Sequence, residues 1–262
     1  YKENMNKTLY IILIFTIFLI QTIIADDNMS STKRSKWTTL NSLIKTEEKT
    51  IRDFGQLGPK LKYRLLELES EKIRLSIEKE NNLFISKRYK DRKHKKSWYF
   101  RKSKRLFKNV NKMGLQIIKE HPNFNEIAKI YYTLALNERD YGADKRTEEY
   151  LYLALTRSNK EESIIHNVKI SLAEYYYNNK NYNLAVKYYE QVVKNKKDNW
   201  HTKHLFNYAW CLLKEEKTEL AIKNMKDSFV KSTDPKYISM KEQIHKSLLV
   251  FFVHGNKIKD GI

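Results

Sequence analysis

Apolar and polar positions follow three regimes along the chain. Leu9 to Ile24 (LYIILIFTIFLIQTII) is almost unbroken apolar sequence, with Lys7 before it and Ala25, Asp26 and Asp27 after it. A charged start, a short apolar core and a small residue before polar sequence predict a secretory signal peptide over 1–25, with Met5 as its start. Its 16 residues are short for a spanning helix of about 20. Ile23 stands at the −3 position, where a small residue is usual, so an uncleaved anchor is the alternative. Residues 26–37 are polar and predict a disordered linker. The second regime is helical. A first stretch runs from Thr38 to Phe54, and Gly55, Gly58 and Pro59 mark a turn. A long amphipathic helix follows from Leu61 to Lys87, where Leu61, Leu65, Leu66, Leu68, Ile73, Leu75, Ile77, Leu83 and Phe84 include spacings of three and four with charges between. Lys79 and Asn82 interrupt the seam after Leu75, which argues against a coiled coil. A further helix reaches Glu120, ahead of His121-Pro122.

The third regime, from Asn125 onward, repeats itself. The segments IYYTLALNERDY…RTEEYLYLAL, ISLAEYYYNNKNYNLAVKYYEQVV and LFNYAWCLLKEEKTELAIKNMKDSF align, and HKSLLVFFVHGNKIKDGI begins a fourth. The equivalent positions Thr147, Ala185, Ala221 and Gly261 lie 38, 36 and 40 residues apart. Self-similarity at this period predicts stacked helical pairs. Leu172-Ala173, Tyr176, Ala185, Tyr189 and Val192, then Leu205, Tyr208, Ala209, Leu212, Ala221 and Met225, fit a helix-turn-helix pattern in which small residues allow close helix approach. In the earlier segment Leu134, Ala135, Leu151 and Ala154 fit, while Glu138 and Thr147 depart from it.

This pattern resembles the tetratricopeptide repeat, with envelope proteins of bacteria as the nearest style, over 125–262, about half of the chain. The resemblance implies an all-α fold, a right-handed superhelical solenoid of antiparallel helix pairs. It divides the mature chain into an N-terminal helical region with degenerate repeats (38–122) and tetratricopeptide-like repeats (123–262). It also implies a sequence truncated within its last repeat. In such arrays the first helix of each pair lines a concave groove. By alignment this groove presents Tyr132, Leu136 and Arg139, then Ile170, Glu174 and Tyr177, then Phe206, Trp210 and Lys214. Ile170, Glu174, Phe206 and Trp210 stand where a carboxylate-gripping Lys/Asn clamp is expected, so that clamp is absent. The partner-binding candidates are Tyr132, Arg139, Glu174, Tyr177, Phe206, Trp210 and Lys214, an aromatic, mixed-charge set suited to a protein segment.

Composition sharpens this picture. Gly and Pro together are 9 of 262 residues, against roughly 12% in an average chain, which disfavours all-β, collagen-like and linker proteins. The net charge is 51 − 31 = +20, which suits nucleic acid, anionic envelope polymers or acidic proteins as partners. Lys supplies 40 of the 51 basic residues, a bias that codon composition also produces. Residues 86–108 hold 12 Lys/Arg and one Asp, contributing +11. Tyr89, Trp98, Tyr99, Phe100 and Phe107 are interleaved among them. Lys93, Lys95, Lys96, Arg101, Lys102, Lys104 and Arg105 are therefore candidates for an anionic lipid or cell-wall polymer surface. The alternative is that these aromatics join the core and the lysines are merely solvated. Export argues against nucleic acid.

Chemistry-bearing residues are sparse. The single cysteine, Cys211, excludes an intrachain disulfide and a Cys-based zinc site. Placed between Trp210 and Leu212, it reads as a packed small hydrophobe. His201 and His204 lie three apart at a helix start with no carboxylate at a useful spacing, and read as surface residues. No Gly-rich phosphate loop, G-x-S-x-G or H-E-x-x-H occurs, so no catalytic residue, metal or cofactor is expected. The expected function is a non-catalytic protein–protein interaction scaffold, exported to a bacterial periplasm with membrane association as a variant. The alternatives are an anionic-surface binder acting through 86–108, and a structural or regulatory subunit of an enzyme with a further domain.

Overall fold

A computed structural model describes residues 32–55, 57–86, 93–141 and 146–254. The expected signal peptide, the start of the linker, Tyr89 and Gly261 lie outside the described residues. Eleven α-helices and no strand occur among those described. They divide into two units, one ending at Lys145 and one beginning at Arg146. The all-α expectation is met as helices packed in neighbouring pairs.

The first unit contains α1 (Thr32–Asp53), α2 (Pro59–Ser86), α3 (Lys96–Tyr99), α4 (Arg101–Glu120) and α5 (Ile127–Tyr141). Helix α1 begins at Thr32, so residues 32–37, expected to be disordered, are helical. It ends at Asp53, and Gly55 just beyond has a φ of 76°, which suits a residue without Cβ. Pro59 then opens α2, where its missing N–H costs nothing. Leu40, Ile44 and Ile51 of α1 pack against Leu65, Leu68 and Leu75 of α2. Above that apolar seam Arg64 donates to both oxygens of the buried Glu47, at 2.7 and 3.0 Å. Lys72 reaches Glu48 at 2.7 Å. Buried Glu80 accepts the Lys102 N–H at 2.9 Å and the Ser103 hydroxyl, placing an anion at the N-terminus of α4.

Helix α5, expected to open the repeat region after a boundary at 122/123, lies in the first of the two units. The reason is a glycine-sized notch and a set of polar contacts. A Cβ at Gly114 of α4 would lie 2.8 Å from Leu134 Cδ2, so any other residue there would require the Leu134 side chain of α5 to move. Asn137 donates to Ser70 Oγ at 3.1 Å, and Tyr141 to the Phe100 carbonyl at 2.9 Å.

The second unit contains α6 (Thr147–Thr156), α7 (Glu162–Asn178), α8 (Tyr182–Val192), α9 (His201–Lys214), α10 (Thr218–Lys231) and α11 (Lys241–His254). Each packs on the next. The expected small contact residues Ala173, Ala185, Ala209 and Ala221 are all fully buried. The pairs α7/α8 and α9/α10 also share one turn at an offset of 36. Lys180 (φ 61°) and Glu216 (φ 59°) are both left-handed. The N–H of Asn181 then donates to the Tyr176 carbonyl at 2.8 Å, and that of Lys217 to Leu212 at 2.9 Å. These bonds close the helix C-terminus five residues back and reverse the chain.

Candidate functional site

The expected groove residues divide between the two units. Tyr132 and Arg139 lie on α5 of the first unit, where Arg139 donates to Asp140 at 2.7 Å. Glu174 and Tyr177 lie on α7, and Phe206, Trp210 and Lys214 on α9, of the second unit. There Phe206 and Trp210, one helical turn apart, set their rings 6.4 Å apart edge to face. Trp210 continues to Phe251 of α11 at 4.9 Å. Both remain partly exposed, Lys214 is exposed, and Glu174 and Tyr177 are half-buried. The Tyr177 ring lies 5.6 Å from Tyr182. Burial raises the pKa of the Tyr177 hydroxyl, with Cys211 and Tyr182 adding to it.

In the basic segment Lys93, Lys95, Lys96, Arg101, Lys102, Lys104 and Arg105 are all exposed. Residues 87–92 lie outside the described set. The interleaved aromatics split in role. Tyr99 is buried against Phe84 at 5.5 Å, as the core alternative expected. Phe107 packs on Tyr141 at 5.1 Å. Trp98 stays 41% exposed, with the His94 ring stacked at 4.1 Å and the Arg101 guanidinium at 4.0 Å. That arrangement holds a cation over an aromatic face at the surface.

A third cluster escaped the sequence reading. His201 and His204, expected at the surface, are only 2% and 5% exposed. His204 Nε2 lies 3.0 Å from Asp198 Oδ2, and His166 Nε2 of α7 lies 2.9 Å from the same oxygen. The missing carboxylate is therefore Asp198, in the loop entering α9 rather than on its face. The other oxygen, Oδ1, accepts the Trp200 N–H at 2.9 Å. Burial pushes the Asp198 carboxyl up, but hydrogen bonds from His166, Trp200 N–H and His204 outweigh it and hold it below its ordinary value. Burial lowers the His204 imidazole, against the attraction of Asp198. An ionised carboxylate thus faces an imidazole kept neutral. His166 and Asp198 open onto a cleft of about 850 Å³ that is also lined by Lys169, Lys194, Lys196 and Lys197. His204 Nδ1 and His201 Nδ1 are buried without a partner among the described residues.

The cluster was hidden because His166 and Asp198 are 32 residues apart. The repeat offset was the available signal. His166 and His204 both lie in the opening turns of their helices, α7 and α9, at equivalent ends of two neighbouring pairs. Cys211 is fully buried, as expected, and burial pushes its thiol up to about 12, which keeps it protonated and inert. No protein-family model matches the chain, and no curated protein sequence does either.

Proposed function

We propose that the protein is a non-catalytic helical-repeat scaffold of tetratricopeptide type, exported to a bacterial envelope, which binds a partner segment along the first helices of its second unit. The observation that carries this reading is the shared turn at Lys180 and Glu216. It gives two successive pairs the same hairpin geometry, the basis of a repeating array. Along α7 and α9 such an array exposes a strip containing Tyr177, Phe206, Trp210 and Lys214. Rigid aromatics bury large areas at low entropic cost, and anchors of this kind carry most of an interface's energy. Of the remaining groove candidates, Glu174 lies on α7 beside the strip, while Tyr132 and Arg139 belong to the first unit and are not needed for this reading. The test is photo-crosslinking in cells, with a photoreactive amino acid placed at Phe206, at Trp210 and, as control, at Leu220. A discrete adduct from the first two sites alone supports the proposal. Adducts of equal yield from all three sites overturn it.

A second reading has its own support. Seven exposed Lys/Arg side chains beside a surface Trp98 suit anionic headgroups or polymers. Co-sedimentation with phosphatidylglycerol vesicles tests it. Binding is expected at low salt and lost at moderate salt, because exposed charges are screened beyond about 8 Å at physiological ionic strength. Equal binding to phosphatidylcholine vesicles would refute it.

A further inference from the structure

The cluster at the start of α9 supports more than a hydrogen-bonding role. We propose that His166, Asp198 and His204 form a zinc(II) site, with His166 Nε2, His204 Nε2 and Asp198 Oδ2 as ligands and a fourth position toward the open cleft. The three ligand atoms lie within 4.8 Å of one another. Tetrahedral zinc, with bonds of about 2.0–2.1 Å, separates its ligands by about 3.4 Å. The histidine nitrogens stand 2.9 and 3.0 Å from Asp198 Oδ2 and within 4.8 Å of each other, so an ion needs the two His–Asp edges to open by a few tenths of an ångström and the His–His edge to settle at the same length. Two imidazoles and one carboxylate form a donor set that suits zinc better than magnesium or calcium.

The neighbouring repeat shows what the carboxylate does when no histidines accompany it. Asp234 lies 36 residues after Asp198, and its Oδ1 accepts the Lys236 N–H at 2.9 Å, making the same turn that Asp198 makes with Trp200. The counterpart of His166 on α9 is Thr202, at an offset of 36, and that of His204 on α11 is Ile244, at an offset of 40. Neither can repeat an imidazole–carboxylate contact. The turn there forms with Oδ1 alone, and the two histidines have no equivalent at that next level. Oδ1 is held by backbone, which aims Oδ2 at the imidazoles in advance. Side-chain exposures of 18%, 15% and 7% for His166, Asp198 and His204 grade from the cleft inward, leaving one side open to a fourth ligand. The four lysines of the cleft favour water or an anionic group there. A bound ion would join the opening turns of α7 and α9, bracing one helix pair against the next.

The test uses the untagged full chain, freed of metal by chelator dialysis and titrated with Co²⁺ as a spectroscopic substitute, then with Zn²⁺. The expected result is the intense visible absorption of four-coordinate Co²⁺, saturating at one equivalent and abolished by Zn²⁺. His166→Gln and Asp198→Asn should each weaken zinc affinity at least ten-fold, as even outer-shell changes at such sites weaken it by about 10–100-fold. Both variants are chosen to fold, since His166 is partly exposed and Asn can still accept the Trp200 N–H. His245→Gln, at an exposed position of α11, should leave binding unchanged. Only the weak absorption of six-coordinate Co²⁺ in the wild-type chain, or undiminished affinity in both variants, overturns the site. The wild-type spectrum decides without any variant, and its outcome is independent of partner binding.

Discussion

The two units reach stability by different routes. In the first, each helix contact has its own device: Arg64 forked onto Glu47, Glu80 capping α4, and Gly114 admitting Leu134. In the second, features recur: Ala173, Ala185, Ala209 and Ala221 are fully buried, and the turns after α7 and α9 each carry a left-handed residue. Individual polar devices tie a particular helix to a particular neighbour. Repetition specifies only a geometry, and function then depends on side chains that depart from the repeat. The His166–Asp198–His204 cluster and the Phe206–Trp210 pair are such departures.

The largest effect expected from breaking this contrast is in the repeated core. Leu172→Ala removes a fully buried side chain and should cost about 2–5 kcal/mol in urea unfolding. A loss below 1 kcal/mol would mean that the site collapses and that the repeat packs loosely. Next is the individual device. Glu47→Ala strands the part-buried Arg64 fork and should cost about 1.5–3 kcal/mol, less than a full buried pair because Glu67 still bonds Arg64 at 3.0 Å. Its salt dependence should be weak, and a strong one would place the pair effectively in solvent.

Acid should affect the second unit through the histidines. Burial lowers both His201 and His204, His201 with Lys231 adding to the effect. Their unfolded forms, at the ordinary value of 6.5, bind protons more readily than the folded ones. Stability is therefore complete above pH 6.5 and falls as pH drops from there through the folded values. Asp198 has the same sign at lower pH: its contribution is present above its ordinary 3.8 and is lost as pH falls through its depressed folded value. His204→Gln should flatten the upper of these two slopes in metal-free protein, and an unchanged slope would assign it elsewhere. The smallest effect sharpens the repeat itself. Lys180→Gly and Glu216→Gly each relieve a left-handed side-chain conformation and should stabilise by about 0.5–1 kcal/mol. Equal gains in thermal unfolding would support equivalent turns, whereas a gain in one and a loss in the other would break the equivalence.

Much of the architecture was legible from residues alone, for a physical reason. Helix-forming composition, period-3.6 apolar spacing and recurring alanines act locally, so the α2 stretch, the α7/α8 and α9/α10 pairs and the burial of Cys211 follow from short windows of sequence. Helix α5 fits the repeat pattern in its sequence and yet lies in the first unit. Only Gly114, Ser70 and Phe100, distant in sequence, assign it to the first unit. Trp98 and Tyr99 are adjacent in the chain and chemically alike, yet one is exposed and the other buried.

Sequence by itself determined the helical class, the offsets of 36 and 40, and which residue types recur, because these depend on the backbone's local preferences and on small side chains at crossings. Tertiary structure alone decided which helices share a unit, which aromatics reach solvent and which polar atoms meet. The imidazoles at 166 and 204 converge on Asp198 from separate helices, a proximity set by tertiary packing rather than by any local signal.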